Sequence, residues 1–209
     1  MKRNIIFLVL GLAVVFSPVV YTAVRPNFKI DWSRTVPSTL PEATLAQALD
    51  DPKIWPIYYH SLKSVRFETQ EGKPTETIAV GNRIYYSVEP KGKEWKRFEL
   101  IGEVSKYEPG KHLSVKLVGD TKKKLTTVFE EYEWSLTVSE ANLDLKSKGF
   151  KSMAVGTAEA ITATWRGRVF GSLFSRILMN QVYYVDLVKL GTLDLQKEAA
   201  QNNLEPKFQ

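Results

Sequence analysis

The amino-acid sequence predicts an α+β protein in which a curved antiparallel sheet of seven strands surrounds a long C-terminal helix. Two short helices follow the first strand, and a transmembrane helix precedes it. Three observations lead to this fold class. Runs of alternating apolar and polar residues, separated by turn residues, fill the middle of the chain. Apolar residues then recur every three or four positions over residues 168–200. An uncharged run occupies residues 5–24.

The N-terminal run has 20 uncharged residues, about the length that spans the hydrocarbon core of a bilayer as a helix. A cleaved signal peptide has a shorter apolar region and small residues at positions −3 and −1 of its cleavage site. The best cleavage position here follows Ala23 and puts the bulky Tyr21 at −3. We therefore expect residues 1–24 to be an uncleaved signal anchor, with a cleaved signal peptide as the alternative.

The charges that flank this segment indicate its orientation. Lys2 and Arg3 precede it, and the positive-inside rule places them in the cytoplasm, although Arg25 and Lys29 weaken the bias. The expected location is therefore the inner membrane, which the chain crosses once. Residues 25–209 are expected to be one domain on the extracytoplasmic side.

Composition excludes several classes of protein. The chain has no cysteine, so it has no disulfide framework, no thiolate nucleophile and no Cys-ligated metal. Without Lys2 and Arg3 it carries 27 basic and 23 acidic residues, a net charge of only +4. Nucleic acid is therefore not an expected partner.

The first elements of the domain are a strand and two short helices. Residues 28–36 alternate apolar and polar side chains, as a strand does. Thr39 and Glu42 have the spacing of a capping box at the start of the first helix. Pro52 ends that helix, because the residue before a proline is disfavoured in helical geometry. A second short helix is predicted over residues 53–61.

Six further strands are predicted, and turns rich in Gly, Pro and Asp separate most of them, so neighbouring strands are expected to be antiparallel. They cover residues 62–68, 77–89, 95–107, 112–118, 125–138 and 150–165. A polar loop precedes the last of them.

The C-terminal periodicity predicts a long amphipathic helix with a wide apolar face. That face consists of Phe170, Leu173, Phe174, Ile177, Leu178, Val182, Val185 and Val188. Such a helix can cover the concave face of a curved sheet. The cleft that remains between helix and sheet is a common site for apolar ligands.

The stretch DDPKIWP at residues 50–56 is similar to a pattern of the START/polyketide-cyclase-like (SRPBCC) superfamily: a helix ends in an Asp and is followed by a Trp and then by a strand of the sheet. Gly156-Thr157 is similar to the Gly-Thr common in the last strand of that family, and the long helix after Arg166 occupies the expected place. The resemblance covers about residues 28–200. It implies the helix-grip fold and a hydrophobic cavity. Family members bind lipids, sterols, polyketides or other apolar molecules, and a minority catalyse cyclisation or dehydration.

Aromatic and aliphatic side chains, with one carboxylate, are expected to line this cavity. Glu159 alternates with Val155, Thr157 and Ile161 in the last strand, so it is interpreted either as a polar anchor inside the cavity or as a residue of an outward or ion-paired face. The predicted ligand-binding residues are Trp55, Tyr59, Tyr86, Tyr132, Trp134, Glu159, Trp165, Phe174 and Ile177.

No catalytic residue, metal ligand or cofactor is predicted. His60 is the obvious candidate for a general base, but the sequence supplies no partner to orient it. His112 is the only other histidine and is expected to be solvated at the start of a strand. Zinc sites need three or four convergent ligands.

The favoured function is membrane-anchored, non-enzymatic binding, or transfer, of a hydrophobic or lipid-like ligand. The expected partners are that small molecule or lipid and the membrane itself, through residues 5–24. One alternative is a polyketide cyclase- or dehydratase-like enzyme that acts on an apolar substrate with Glu159 or His60. The other is an envelope module that binds proteins.

Overall fold

The structure is a computed structural model that describes residues 29–59, 61–89, 97–122, 128–162, 164, 168 and 184–192. Within these ranges the strands are β1 Lys29–Ser38, β2 Leu62–Glu68, β3 Pro74–Thr75, β4 Arg83–Val88, β5 Phe98–Glu108, β6 His112–Asp120, β7 Phe129–Glu140 and β8 Ser152–Thr162. The helices are α1 Glu42–Asp50, α2 Trp55–Tyr58, α3 Leu143–Ser147 and α4 Tyr184–Thr192.

The strands form a single antiparallel sheet in the order β1-β8-β7-β6-β5-β4-β2-β3. The first strand pairs with the last, so that Ala158 of β8 lies between Trp32 of β1 and Trp134 of β7. The predicted curved antiparallel sheet with few helices is therefore confirmed. The hydrophobic core lies between its concave face and the helices.

The described part of the sheet has eight strands, so the predicted number of seven is wrong. The additional strand is β3, which pairs with the end of β2 through Phe67 opposite Thr75 and Glu68 opposite Pro74. It falls where the sequence predicts a turn. Two residues are too few to show an alternating pattern, and proline is tolerated because β3 lies at the edge of the sheet.

The alternation of buried and exposed side chains in β8 contradicts the interpretation that places Glu159 inside the cavity and agrees with the interpretation that places it on an outward face. Ala154, Gly156, Ala158 and Ala160 face the core, whereas Glu159 is exposed. The larger apolar residues of this strand, such as Val155, are only partly buried. The interior side of β8 is therefore built from small residues, which leave room for elements that pack on it.

Helix α1 begins and ends close to the predicted positions, but the predicted capping box is wrong. The N-cap is Pro41, and no side chain caps the helix. Ser38 has a different role: its hydroxyl accepts a hydrogen bond from the Leu40 N–H at 3.0 Å and donates one to the Gly191 carbonyl. Ser38 thereby connects the end of β1 to α4.

The polar loop before β8 contains the short helix α3, which the sequence analysis does not predict. Its N-cap is Asn142, whose Oδ1 accepts a hydrogen bond from the Leu145 N–H at 2.9 Å. Side-chain capping of this kind stabilises a first turn that has no apolar periodicity.

Of the predicted helix over residues 168–200, the structure describes α4, and the remainder of that span lies almost entirely outside the described residues. The predicted signal anchor at residues 5–24 also lies outside them. No helix in the described part of the chain has the length and apolar composition that a bilayer crossing requires.

Candidate ligand-binding site

Four of the predicted ligand-binding residues lie together on the concave side of the sheet. Trp55 of α2 has its ring centroid 6.3 Å from that of Tyr86 and 6.2 Å from that of Tyr59. Trp134 of β7 approaches Tyr59 at 5.9 Å and Tyr86 at 6.5 Å, and Phe67 lies 5.8 Å from Trp55. We call these five residues the aromatic cluster. Their role in ligand binding stays a prediction.

The end of α1 explains the concentration of aromatic residues in the stretch that follows it. The last carbonyls of a helix have no hydrogen-bond donor within the helix. The Trp55 indole N–H donates to the Leu49 carbonyl, and the Tyr58 hydroxyl donates to the Ala48 carbonyl, both at 3.1 Å. Each of these two aromatic side chains is only 1% exposed. Their rings therefore fill the core while their polar atoms satisfy the end of α1.

Tyr58 is held in its neutral form. Burial raises the pKa of its phenol well above the ordinary value of 10, and Tyr59, Tyr86 and Asp186 raise it further. A neutral phenol can donate its hydrogen bond to Ala48 at any physiological pH.

Helix α4 approaches the sheet at two glycines. A Cβ atom on Gly156 of β8 would lie 2.6 Å from Leu187 Cδ1, and one on Gly191 of α4 would lie 3.0 Å from Val36 Cγ1. Both distances are too short for a real Cβ without movement of the neighbour. These glycines therefore let α4 pack closely against β1 and β8.

A small cavity lies between the contact of Leu187 with Gly156 and the aromatic cluster. Its volume is about 20 Å³, roughly the space that one water molecule needs. The described residues that line it are Trp32, Tyr58, Tyr59, Trp134, Ser135, Leu136, Gly156, Thr157, Asp186 and Leu187. The cavity thus lies between the sheet and the C-terminal helix, where the resemblance implies a ligand site.

Of the described residues that line the cavity, the sequence analysis names only Tyr59 and Trp134 as ligand-binding residues, and the acidic residue among those it misses is Asp186. The predicted apolar face includes Val185, but Val185 is 48% exposed, whereas Asp186 is 4% exposed and lies beside the buried Leu187. The sequence does contain a signal for the buried position of Asp186, because this residue lies four positions before Leu190 and one before Leu187 and therefore on the same side of the helix. Because a charged side chain normally marks the solvated face of a helix, apolar periodicity misplaces Val185 and Asp186, although Val188 of the predicted face does pack against the core.

The other predicted site residues have different surroundings. Tyr132 is half-buried and packs against Phe129 at 5.6 Å between ring centroids. The carboxylate of Glu159 is 62% exposed and lies 3.0 Å from Lys29 Nζ, so its placement inside the cavity is wrong. The remaining residues, Trp165, Phe174 and Ile177, lie outside the described residues, as does His60.

His112 lies at the start of β6, as predicted, but it is half-buried rather than solvated. Its two ring nitrogens lie 2.8 Å from the hydroxyl groups of Thr137 and Ser114. Burial lowers the pKa of its imidazole below the ordinary value, and nearby Lys106 contributes in the same direction. The described residues contain no group of three or more His, Asp or Glu side chains that could hold a metal ion.

The fold is that of several solved structures. A structure of Ara h 8.0201 matches 78% of this chain and 97% of its own chain with a TM-score of 0.53 at 12% identity. The ginseng major latex-like protein 151 from Panax ginseng matches 75% and 94% with a TM-score of 0.51 at 10% identity. A point mutant of norcoclaurine synthase from Thalictrum flavum, in complex with a transition-state analogue, matches 79% and 96% with a TM-score of 0.52 at 8% identity.

These proteins are Bet v 1-like members of the START/SRPBCC helix-grip superfamily. The resemblance predicted from the sequence is therefore confirmed at the level of the fold, which is what similarity at such low identity shows. No family model matches the sequence, and no curated protein matches it.

Proposed function

We propose that this chain binds a hydrophobic or lipid-like ligand between the sheet and the C-terminal helix, and that residues 1–24 anchor it in the inner membrane. The observation that carries the proposal is the position of the cavity. It is lined mainly by apolar and aromatic side chains. It lies between the contact of α4 with the small residues of β8 and the aromatic cluster. Apolar clefts with a few polar groups are the usual form of small-molecule sites.

Binding is favoured over catalysis because of where the Glu159 carboxylate lies. A general acid or base must reach a proton of the substrate. Glu159, which the enzyme alternative would use as an interior acid, faces outward and pairs with Lys29. The similarity to norcoclaurine synthase extends to the fold and transfers no catalytic residue.

Mass spectrometry of the purified full chain tests the ligand-binding part of the proposal. The wild-type protein should retain a defined apolar molecule in stoichiometric amount. Ala158→Phe should lose it, because Ala158 is buried between Trp32 and Trp134, and a phenyl ring there would displace these two residues, which line the cavity. Val80→Phe adds the same ring at a position that is 58% exposed and should retain the ligand. Recovery of empty wild-type protein, or equal retention by Ala158→Phe, would contradict the proposal.

Membrane fractionation tests the anchor separately. The full chain should remain in the membrane pellet after alkaline carbonate extraction, because a hydrophobic helix resists treatment that removes peripheral proteins. Protease added to the outside of spheroplasts should digest residues 25–209. Release of the chain by carbonate, or protection of the domain from external protease, would contradict the proposed anchoring or its orientation.

A further inference from the structure

The N-terminal segment joins the sheet at one end of the strands. Strand β1 begins at Lys29, which lies opposite Ile161, near the end of β8. Only four residues separate Lys29 from the proposed anchor, which ends at Val24. A fully extended chain covers at most about 3.6 Å per residue, so this connection spans no more than about 18 Å. We call this end of the sheet the proximal end, because an inserted anchor holds it close to the bilayer.

Antiparallel pairing brings two hairpin connections to the proximal end. Strand β4 ends at Val88 and β5 begins at Phe98, and these two residues lie opposite each other. Strand β7 begins at Phe129, opposite Thr162 at the end of β8 and so beside the start of β1. The β4–β5 and β6–β7 connections therefore lie at the proximal end. The β2–β3, β5–β6 and β7–β8 connections lie at the other end of the strands, which we call the distal end.

The connections at the two ends differ in charge. The proximal connections, residues 88–98 and 120–129, contain seven basic and three acidic residues. The distal connections, residues 68–74, 108–112 and 140–152, contain five of each. An excess of four positive charges thus lies at the end where the anchor joins the sheet, and the distal connections have no excess. Clusters of basic residues next to a membrane anchor are attracted to anionic lipid.

Two of these basic residues, Arg97 and Lys122, belong to the described part of the chain, and both are exposed. The Nε of Arg97 donates a hydrogen bond to the Ser87 hydroxyl at 2.6 Å, and the Nζ of Lys122 lies 5.9 Å from the centroid of the Phe98 ring. Phe98 and Phe129 are only partly buried. Basic side chains beside aromatic rings are a combination that membrane proteins place at the level of the lipid headgroups.

The acidic residues near the proximal end have a different position. Asp31, Glu159 and Glu133 are exposed and lie opposite one another on the outer face of β1, β8 and β7. Lys29 balances part of this charge, since its Nζ lies 3.3 Å from Asp31 and 3.0 Å from Glu159. An anionic surface is therefore disfavoured against the outer face of these strands and favoured against the strand ends.

We propose that the proximal end docks on a bilayer surface that contains anionic lipid, with Arg97 and Lys122 against the lipid phosphates. This inference rests on the anchor of the proposed function and adds an orientation to it: the strands point at the bilayer and the distal end points away. The attraction acts over about 8 Å at physiological ionic strength. The short connection to the anchor keeps the proximal end near that range, and the charge difference between the ends selects the orientation.

Fluorescence quenching on the full chain in lipid vesicles tests the docking. The chain has no cysteine, so Thr121→Cys and Leu143→Cys each supply one labelling position, at the proximal and the distal end. Both positions are exposed. A bimane label is attached to each, and the vesicles contain a lipid with a nitroxide on its headgroup. With about 30% phosphatidylglycerol in the vesicles, the label at residue 121 should be quenched about twofold or more strongly than the label at residue 143.

Two pairs of substitutions locate the attraction. Arg97→Glu with Lys122→Glu reverses two positive charges at the proximal end and should lower quenching of the label at residue 121 by about half. Lys111→Glu with Lys151→Glu makes the same change at exposed positions of the distal end and is the matched control. It should leave the quenching unchanged. Vesicles of neutral phosphatidylcholine alone should give the lower value with the unsubstituted proximal end, which keeps the test decisive if the charge-reversed chain does not fold.

The outcomes separate this inference from the proposed anchor. Equal quenching at the two ends, stronger quenching at residue 143, or quenching that does not depend on phosphatidylglycerol would overturn the docking and leave the anchor intact. An equal loss of quenching in the two charge-reversed pairs would overturn the assignment to Arg97 and Lys122. Release of the chain from the vesicles by carbonate, with the preference of residue 121 for anionic lipid retained, would overturn the anchor and support the docking.

Discussion

The two ends of the concave face meet their helices in different ways. Where α4 crosses β8, the strand presents Gly156, and Leu187 fits so closely that a Cβ on this glycine would lie 2.6 Å from it. Where α2 lies beside β2 and β4, the strands present Phe67 and Tyr86, and both rings pack against Trp55. Small residues bring the helix close to the sheet at one end, and large rings fill the space between them at the other.

This difference explains where the cavity lies. Leu187 of α4 packs against β8 at Gly156, whereas the rings of the aromatic cluster fill the region between α2 and the strands beneath it. Trp134 and Tyr59 of the aromatic cluster line the cavity together with Leu187, and Asp186 lines it from α4. Protein interiors are densely packed and contain few cavities, so this one marks a place where the side chains of the two regions do not fill the space between them.

Trp55→Ala should have the largest effect, because it removes the centre of the aromatic cluster. Substitution of a buried Trp by Ala lowers the free energy of unfolding by about 3–5 kcal/mol. The variant also leaves the Leu49 carbonyl without the indole N–H. Urea denaturation measures the change. Val80→Ala, at a position 58% exposed, is the control and should differ little from wild type. A small loss for Trp55→Ala would mean that the cluster does not hold this end together.

Gly156→Ala should disturb the end at which α4 packs closely. Its added methyl group would meet three atoms of Leu187 at 2.6–3.3 Å, and overpacking of this kind lowers the free energy of unfolding by about 1–3 kcal/mol. Gly119→Ala is the matched control, because its Cβ would meet Ile101 at an ordinary 3.6 Å. Thermal unfolding of the two variants should show a lower midpoint only for Gly156→Ala. Equal midpoints would contradict close packing at Gly156.

High pH should loosen the attachment of α1 before it affects α4. Burial and the hydrogen bond to Asp50 raise the pKa of Tyr107 to about 12. A pKa above the unfolded value means that the contribution to stability is complete below about pH 10 and is lost as the pH rises toward 12. Tyr58 responds in the same direction.

Tyr107→Phe should therefore lose less stability than wild type between pH 9 and pH 11.5, although it is less stable at pH 8, where the hydrogen bond to Asp50 is intact in wild type. Denaturation in urea at each pH measures the difference. Parallel pH profiles of the two proteins would contradict a role for Tyr107 ionisation.

Glu159→Gln should have the smallest effect. The carboxylate is 62% exposed, and an ion pair between exposed side chains contributes little to stability. Both the unfolding midpoint and the retention of an apolar ligand should match those of wild type within error. Loss of ligand in this variant would restore Glu159 as a site residue and contradict its outward placement.

Local sequence patterns predict the kinds of elements well, because they depend on near neighbours in the chain. Alternation over residues 28–36 and 125–138 predicts β1 and β7, and Pro52 ends α1 where expected. The resemblance carried by residues 50–56 and by Gly156 predicts the helix-grip fold. That fold places Trp55, Tyr59, Tyr86 and Trp134 on one side of the sheet, although these residues belong to separate parts of the chain.

Other features depend on contacts that the local pattern does not contain. The sequence of β8 alternates Val155, Thr157, Glu159 and Ile161 with Ala and Gly, and apolar size alone favours the former set for the interior. The structure buries the small set because α4 lies against it, and Leu187 occupies the volume that a larger side chain on β8 would need.

The amino-acid sequence by itself determined the element types, the antiparallel order and the aromatic composition of the candidate wall, since periodicity, turn residues and side-chain size are local properties. Only the tertiary structure decided that Glu159 faces solvent and that Asp186 is buried. Both outcomes follow from how closely α4 approaches the sheet, and that approach depends on Gly156 against Leu187 and on Gly191 against Val36 of β1, contacts between elements that are separate in the chain.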